Sequence, residues 1–160
     1  NVELAICLVK KNPMEIILQK ATELGVSKIV PIISERTEIK KLNFERANKI
    51  AIEATEQSNQ LHPPKIEKII KLKNFIDELE NKTLLFTDVN SDHKLEYKNF
   101  KPGRVSCILI GPEGDFSPAE RELILKKANV IPFSLSKNIL RTDTAVISAI
   151  SLVNFINNNH

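Results

Sequence analysis

The chain is poor in the features that announce many common functions. No stretch of its 160 residues reaches the about 20 consecutive apolar residues of a membrane-spanning helix. Its first residues do not read as a secretory signal. Only two cysteines are present, Cys7 and Cys107, each inside an apolar, strand-like run. Reduced core thiols sit this way, and a cytosolic, cytoplasmic setting is the expectation. His62, His93 and His160 are scattered without ligand spacing, so no metal is expected. The net charge is only +3, which leaves no broad electrostatic footprint for a nucleic acid. Repeats and low-complexity tracts are missing. So are the Gly-x-Gly-x-x-Gly of dinucleotide folds, a phosphate loop ending in Gly-Lys-Ser or Gly-Lys-Thr, and a nucleophile elbow.

What is there is an ordinary globular composition, 42% hydrophobic and 27% charged, long enough for one domain with a real core. Strand and helix signals alternate along it. Residues 2–9 form an apolar run broken only by Glu3, a strand. Asn12, Pro13 and Glu15 read as the cap and first turn of a helix. Met14, Ile17, Leu18, Ala21 and Leu24 give that helix one apolar stripe, and Gly25 ends it. Residues 27–34 are the next strand, made irregular or edge-like by Pro31. Strand, helix, strand at this spacing predicts a right-handed crossover and a parallel pair. A helix over 43–60 follows, stopped by His62-Pro63-Pro64. Then come a short strand over 66–70, a short helix over 74–79, a strand over 83–89 and a polar surface loop over 90–103. The class is α/β, a mostly parallel sheet flanked by helices, with ligands expected outside the carboxyl ends of its strands.

Two pieces stand out. In the first, the apolar run over 105–110 enters the turn Gly111-Pro112-Glu113-Gly114. Ser117, Pro118 and Glu120 then supply a cap, a first-turn proline and a capping box. Gly111 and Gly114 carry no Cβ to hold a ligand off and allow backbone angles other residues resist. The adjoining helix start offers exposed amides to a polar or anionic group. The second piece repeats the plan: a strand over 130–135, an irregular turn, and Thr142 capping the last helix. That helix is apolar over most of its circumference. Ala145, Val146, Ile147, Ala149, Ile150, Leu152, Val153, Phe155 and Ile156 leave only a narrow polar line. Such a helix needs cover on two sides, and a second subunit is the simplest second cover, so a homodimer is expected.

These pieces resemble the signature motifs of the RsmE family, the ribosomal RNA uridine-N3 methyltransferases of the SPOUT class. The family shows Gly-Pro-Glu-Gly-Gly-Phe-Ser, then Leu-Gly-x-Arg-Ile-Leu-Arg-x-Glu-Thr-Ala. Here Asp115 replaces the second glycine of the pair. Ser136 stands for Gly, Asn138 for Arg and Asp143 for Glu. Residues 19–26, 35–37 and 53–58 match further family stretches, so the likeness covers nearly the whole chain.

The resemblance implies an S-adenosylmethionine-dependent enzyme that methylates N3 of a uridine in 16S ribosomal RNA of the small subunit. It also implies a SPOUT fold with a C-terminal trefoil knot, and a homodimer. The cofactor walls would be Leu109, Ile110, Gly111, Pro112 and Gly114 on one side. Leu135, Ile139, Leu140, Thr142 and Thr144 would form the other. An apolar slot with a few fixed polar groups suits that ligand. Uracil N3 is a poor nucleophile while protonated. Arg141 is the candidate to stabilise negative charge on the flanking carbonyl oxygens. Glu113 or Asp143 is the candidate general base. Arg36, in a loop, is the candidate to reach substrate RNA phosphate or the site of a second subunit. Two other readings stay open: a SPOUT tRNA ribose 2'-O-methyltransferase, and a non-catalytic module that binds S-adenosylmethionine or RNA. The chain opens at Asn1 and runs directly into a strand. The expectation is therefore a catalytic domain over residues 1–160, without the small N-terminal RNA-binding barrel of family members.

Overall fold

A computed structural model of the chain describes residues 1–158. Seven parallel strands form one sheet: β1 (Val2–Cys7), β2 (Lys28–Ile33), β3 (Lys65–Ile66), β4 (Ile70–Lys71), β5 (Lys82–Thr87), β6 (Val105–Ile110) and β7 (Val130–Phe133). Their order is β3-β2-β1-β6-β5-β7, with β4 also on β2. Five helices cover it: α1 (Lys11–Glu23), α2 (Phe44–Gln57), α3 (Leu72–Asp77), α4 (Pro118–Leu125) and α5 (Thr142–Asn158).

The period-two rule for strands sorts the core into two layers. Leu4, Ile6, Leu85, Ile108 and Ile110 point to the face covered by α1, α2 and α5. Ala5, Cys7, Leu84, Phe86, Cys107 and Leu109 point to the other, under α3 and α4. Both faces are therefore apolar, as a covered parallel sheet requires. The α/β class and the parallel sheet are borne out.

Local details differ from the sequence pattern in instructive ways. Helix α1 starts at Lys11, with Lys10 at its cap and no side-chain cap bond. Asn12 lies inside it, and Glu15 pairs with Arg46 of α2 at 3.3 Å instead of closing a capping box. Gly25 does end α1, at φ +86°. Its N–H donates to Thr22 O and that of Val26 to Ala21 O, the paired bonds of a left-handed helix stop. Helix α2 ends at Gln57, well before Pro63, because Asn59 takes the same role at φ +55°. The expected strand over 66–70 is two short strands, both on β2. Pro31 lies between them. Ser27 and Ile29 point their carbonyls outward to β3, so the N of Pro31, on the same side, falls where the outer partner changes. Helix α5 begins at Thr142 itself, and the Arg141 carbonyl accepts from Ala145 N at 2.8 Å. Thr142 is thus the first helical residue and not the cap. Among the described residues no helix is long and apolar enough to cross a membrane. His160 lies outside the described residues.

Both thiols are buried. Loss of solvation pushes Cys7 and Cys107 each up to about 12 from the ordinary 9.0. Folding holds them protonated, so their contribution to stability is full below pH 9 and is lost as pH rises toward 12. A thiol-specific disulfide reagent at neutral pH is expected to titrate neither cysteine in the folded chain and both in guanidinium. Urea unfolding should show stability falling above pH 9, with part of that slope gone in Cys107→Ala.

Candidate active site

Three neighbouring strand exits enclose a cleft of about 260 Å³. Thr87, Asp88 and Val89 leave β5, residues 110–115 leave β6, and Ser134, Leu135 and Ser136 leave β7. Asn138, Ile139, Leu140, Thr142 and Ala145 close it from the segment entering α5. The strands are adjacent and parallel, so their carboxyl ends share one edge of the sheet.

The β6 turn is the most tightly specified wall. A Cβ on Gly111 would sit 2.9 Å from the ring of Phe116, so no larger residue fits without movement there. Phe116 is buried and meets Phe86 edge-on, ring centroids 5.8 Å apart. Neither Gly111 nor Gly114 takes positive φ. The left-handed residue is Asp115, at φ +62°. It occupies the place where the resembled family has its second glycine. Its Oδ1 accepts from Phe116 N at 2.8 Å, a local bond that suits an aspartate in this conformation. Helix α4 then starts on a full capping box. Ser117 Oγ accepts from Glu120 N, and Glu120 Oε1 accepts from Ser117 N at 3.1 Å. Glu120 Oε2 also accepts from Glu35 N at 3.1 Å, tying the β2 exit to this turn across 85 residues.

On the β5 side, Asp88 is buried and held by Arg121 of α4 through two bonds, Nη2 to Oδ2 at 2.8 Å and Nε to Oδ1 at 3.3 Å. The hydrogen bond to Asp88 raises the Arg121 pKa above its ordinary value. On the β7 side, Ser136 Oγ accepts from Asn138 N at 3.1 Å. The two residues that depart from the family pattern here therefore brace one another.

Of the expected cofactor residues, Ile110, Gly111, Pro112, Gly114, Leu135, Ile139, Leu140 and Thr142 line the cleft, with Glu113 beside them. Leu109 does not. Its side chain is on the opposite face of β6 from that of Ile110, in the α3–α4 layer. Thr144 is exposed and outside the lining. Arg141 and Asp143 face a neighbouring hollow of about 250 Å³ that also takes Pro13 and Glu113. Arg141 Nε lies 3.5 Å from Asp143 Oδ1, an ion pair in which Arg141 is 77% exposed. Asp143 Oδ1 is enclosed yet has no hydrogen-bond partner among the described residues. Arg36 stands on the far side of the β6 turn, its Nη1 donating to Gly114 O at 3.0 Å. Thr87, Asp88, Val89 and Ser134 were not anticipated. The available signal was their place at the exit of strands flanking β6 in a parallel sheet. Among the described residues, His, Cys, Asp and Glu nowhere gather in threes that could hold a metal ion.

A family model described as RNA methyltransferase domain matches residues 1–154. The chain belongs to this family. Within it, the chain is 35% identical over 155 residues to the ribosomal RNA small subunit methyltransferase E of Rickettsia conorii, covering 96% of this chain and 64% of that one. Its fold matches the structure of the same methyltransferase from Neisseria gonorrhoeae, bound to S-adenosyl methionine, with TM-score 0.88 and 31% identity over 97% of this chain and 65% of that one. A probable rRNA methyltransferase from Porphyromonas gingivalis matches with TM-score 0.88 and 34% identity, over 99% and 68%. The chain thus spans under two thirds of the length of the first two relatives. The RsmE resemblance drawn from the two turns, and the SPOUT-type fold it implies, are borne out.

The turn geometry makes a stability prediction for this methyltransferase domain. Gly111→Ala should lose about 1–3 kcal/mol in urea unfolding, because the added methyl meets the Phe116 ring. Adding Phe116→Leu in the same chain should cost less than it does in the parent, since it removes the clash.

Proposed function

We propose that the chain is the catalytic domain of an S-adenosylmethionine-dependent methyltransferase acting on N3 of a uridine in 16S ribosomal RNA, in the cytoplasm. The observation that carries this reading is the convergence of three parallel-strand exits on one mainly apolar cleft. The cleft suits an adenosyl group. Ile110, Leu135, Leu140 and Ala145 offer apolar surface, and the strand exits offer fixed backbone donors and acceptors. Ile139 is 90% exposed at its rim, an apolar side chain that a bound ligand would cover. Membership of the family and the ligand of the Neisseria structure support the same cofactor.

S-adenosylmethionine, when bound, supplies a methyl group on an electron-poor sulfur. The chain must lower the cost of a deprotonated uracil. Arg141 fits that task because its guanidinium is exposed and held by one long ion pair, so it can turn toward the carbonyl oxygens beside N3. Glu113 and Asp143 are the carboxylates in reach of that region, as acceptors of the N3 proton. Arg36, exposed at the exit of β2, is assigned to RNA phosphate in this reading.

A homodimer is part of the proposal. Asp143, Ile147, Ser151 and Phe155 recur every fourth residue along α5, one stripe on a helix. Phe155 is 69% exposed, and a second copy laid on this stripe would cover it. We include the trefoil knot in the reading. In its support, Ser134 N donates to His93 O in the loop after β5, and α5 then packs on α1 and β6, away from its own strand β7.

Calorimetry is expected to show binding of S-adenosylmethionine to the purified chain. Arg141→Ala should keep cofactor affinity and melting temperature while methylation of 16S RNA falls by about 100-fold or more. Undiminished methylation in that variant removes Arg141 from the chemistry, and absence of cofactor binding overturns the reading as a whole.

A further inference from the structure

A second cleft, of about 340 Å³, lies on the other side of the β6 turn. Its walls are the exit of β1 (Leu8, Val9, Lys10), the exit of β2 (residues 35–39) and the outer face of Pro112, Glu113 and Gly114. Those last three residues line both clefts, so the turn is a partition between them. Glu113 also borders the hollow that holds Arg141 and Asp143.

The second cleft is built and not merely open. The hydroxyls of Ser34 and Thr37, both buried, share a bond of 2.7 Å, and Ser34 N donates to Thr37 Oγ1 at 3.0 Å. Lys40 Nζ donates to Thr37 O. Glu120 of α4 clamps Glu35 N, and Arg36 bridges to Gly114 O, so the start of the β2 exit is fixed against α4 and the partition. Among the described residues only Nη1 of the Arg36 guanidinium is engaged, and the Lys10 side chain has no hydrogen bond or ion pair. Two cations at the rim are thus available to an anion.

We propose that this cleft seats the target nucleotide, with Lys10 and Arg36 on its phosphate and the Glu113 carboxylate on the N–H edge of its base. The proposal rests on the methyltransferase reading and assigns its substrate side. Leu8, Val9, Ile39 and Pro112 supply apolar surface for a base face. Glu35 and Glu38 also line the cleft and are exposed, and their charge disfavours a phosphate anywhere but at the two cations. Selectivity follows from the acceptor-only carboxylate. Uracil presents N3–H to it. Cytosine presents a bare N3 lone pair, which leaves two acceptors facing each other. Glu113 borders both clefts, so a base edge held on its carboxylate would meet the methyl donor over the rim of the partition and not through it.

The test is a backbone-amide NMR titration of the 160-residue chain, saturated first with S-adenosylhomocysteine and then titrated with UMP, CMP or inorganic phosphate. The first addition should shift the amides of Thr87, Val89 and Ser134. UMP should then shift Arg36, Thr37 and Gly114, with CMP and phosphate binding about tenfold more weakly or worse. Arg36→Ala should weaken UMP about tenfold and leave S-adenosylhomocysteine unchanged. Glu113→Gln, whose amide can donate, should erase the preference for UMP over CMP. The nucleotide assignment is overturned by UMP shifts confined to the first cleft, by no UMP response, or by equal affinities for UMP and CMP. If S-adenosylhomocysteine itself fails to bind, the methyltransferase reading falls and this assignment with it.

Discussion

The fold's functional edge hangs on the carboxylate of Glu120. One oxygen accepts from Ser117 N and starts α4, and the other accepts from Glu35 N and holds the exit of β2. Glu120 is buried, so both bonds act in a low-dielectric setting where losing either leaves an unpaired donor, a cost of about 1–3 kcal/mol. The α4 start in turn fixes Phe116, whose ring packs over Gly111 and against Phe86. The shape of the partition between the clefts is therefore set from behind, by packing and capping, before any ligand contacts its front.

Much of this was legible in residues. The capping box of α4 is written as Ser117-Pro118-Ala119-Glu120, and it forms. The apolar run over 105–110 reads directly as the doubly covered central strand. What could not be read is long-range. Nothing near Asp88 in sequence names Arg121 as its partner, and nothing near Glu120 names Glu35. The start of α1 differs from the pattern because Asn12 and Pro13 suit any position of a first turn, and the chain leaving β1 turns helical at Lys11. Leu109 shows the complementary failure. Its type fits an adenine slot as well as that of Ile110, but alternation along β6 sends only one of the two toward α5.

The last helix joins the core to the cleft. Val146, Ala149, Ile150 and Val153 are fully buried against α1 and β6, which fixes where the Leu140–Thr142 segment passes the cleft. The same helix carries Asp143 and Ile147 on a less covered side. Its composition reads as apolar nearly all round because one set of positions builds the monomer core while another faces away from it. Length and pattern signal that such a helix is short of cover. They do not say which residues already have it.

The carboxylates around the first cleft sort by what they already hold. Asp88 is committed to Arg121 and to Asn90 N, and both oxygens are engaged. Asp115 spends Oδ1 on Phe116 N to support its left-handed backbone. Both groups are already committed to bonds that shape the site. Glu113 makes no hydrogen bond or ion pair among the described residues, and it borders both clefts and the hollow beside Arg141. No bond of the fold among the described residues depends on its carboxylate, which under the proposal faces both the base and the methyl donor. In the proposed reaction that makes Glu113, ahead of Asp143 with its arginine partner 3.5 Å away, the carboxylate best placed to accept the N3 proton.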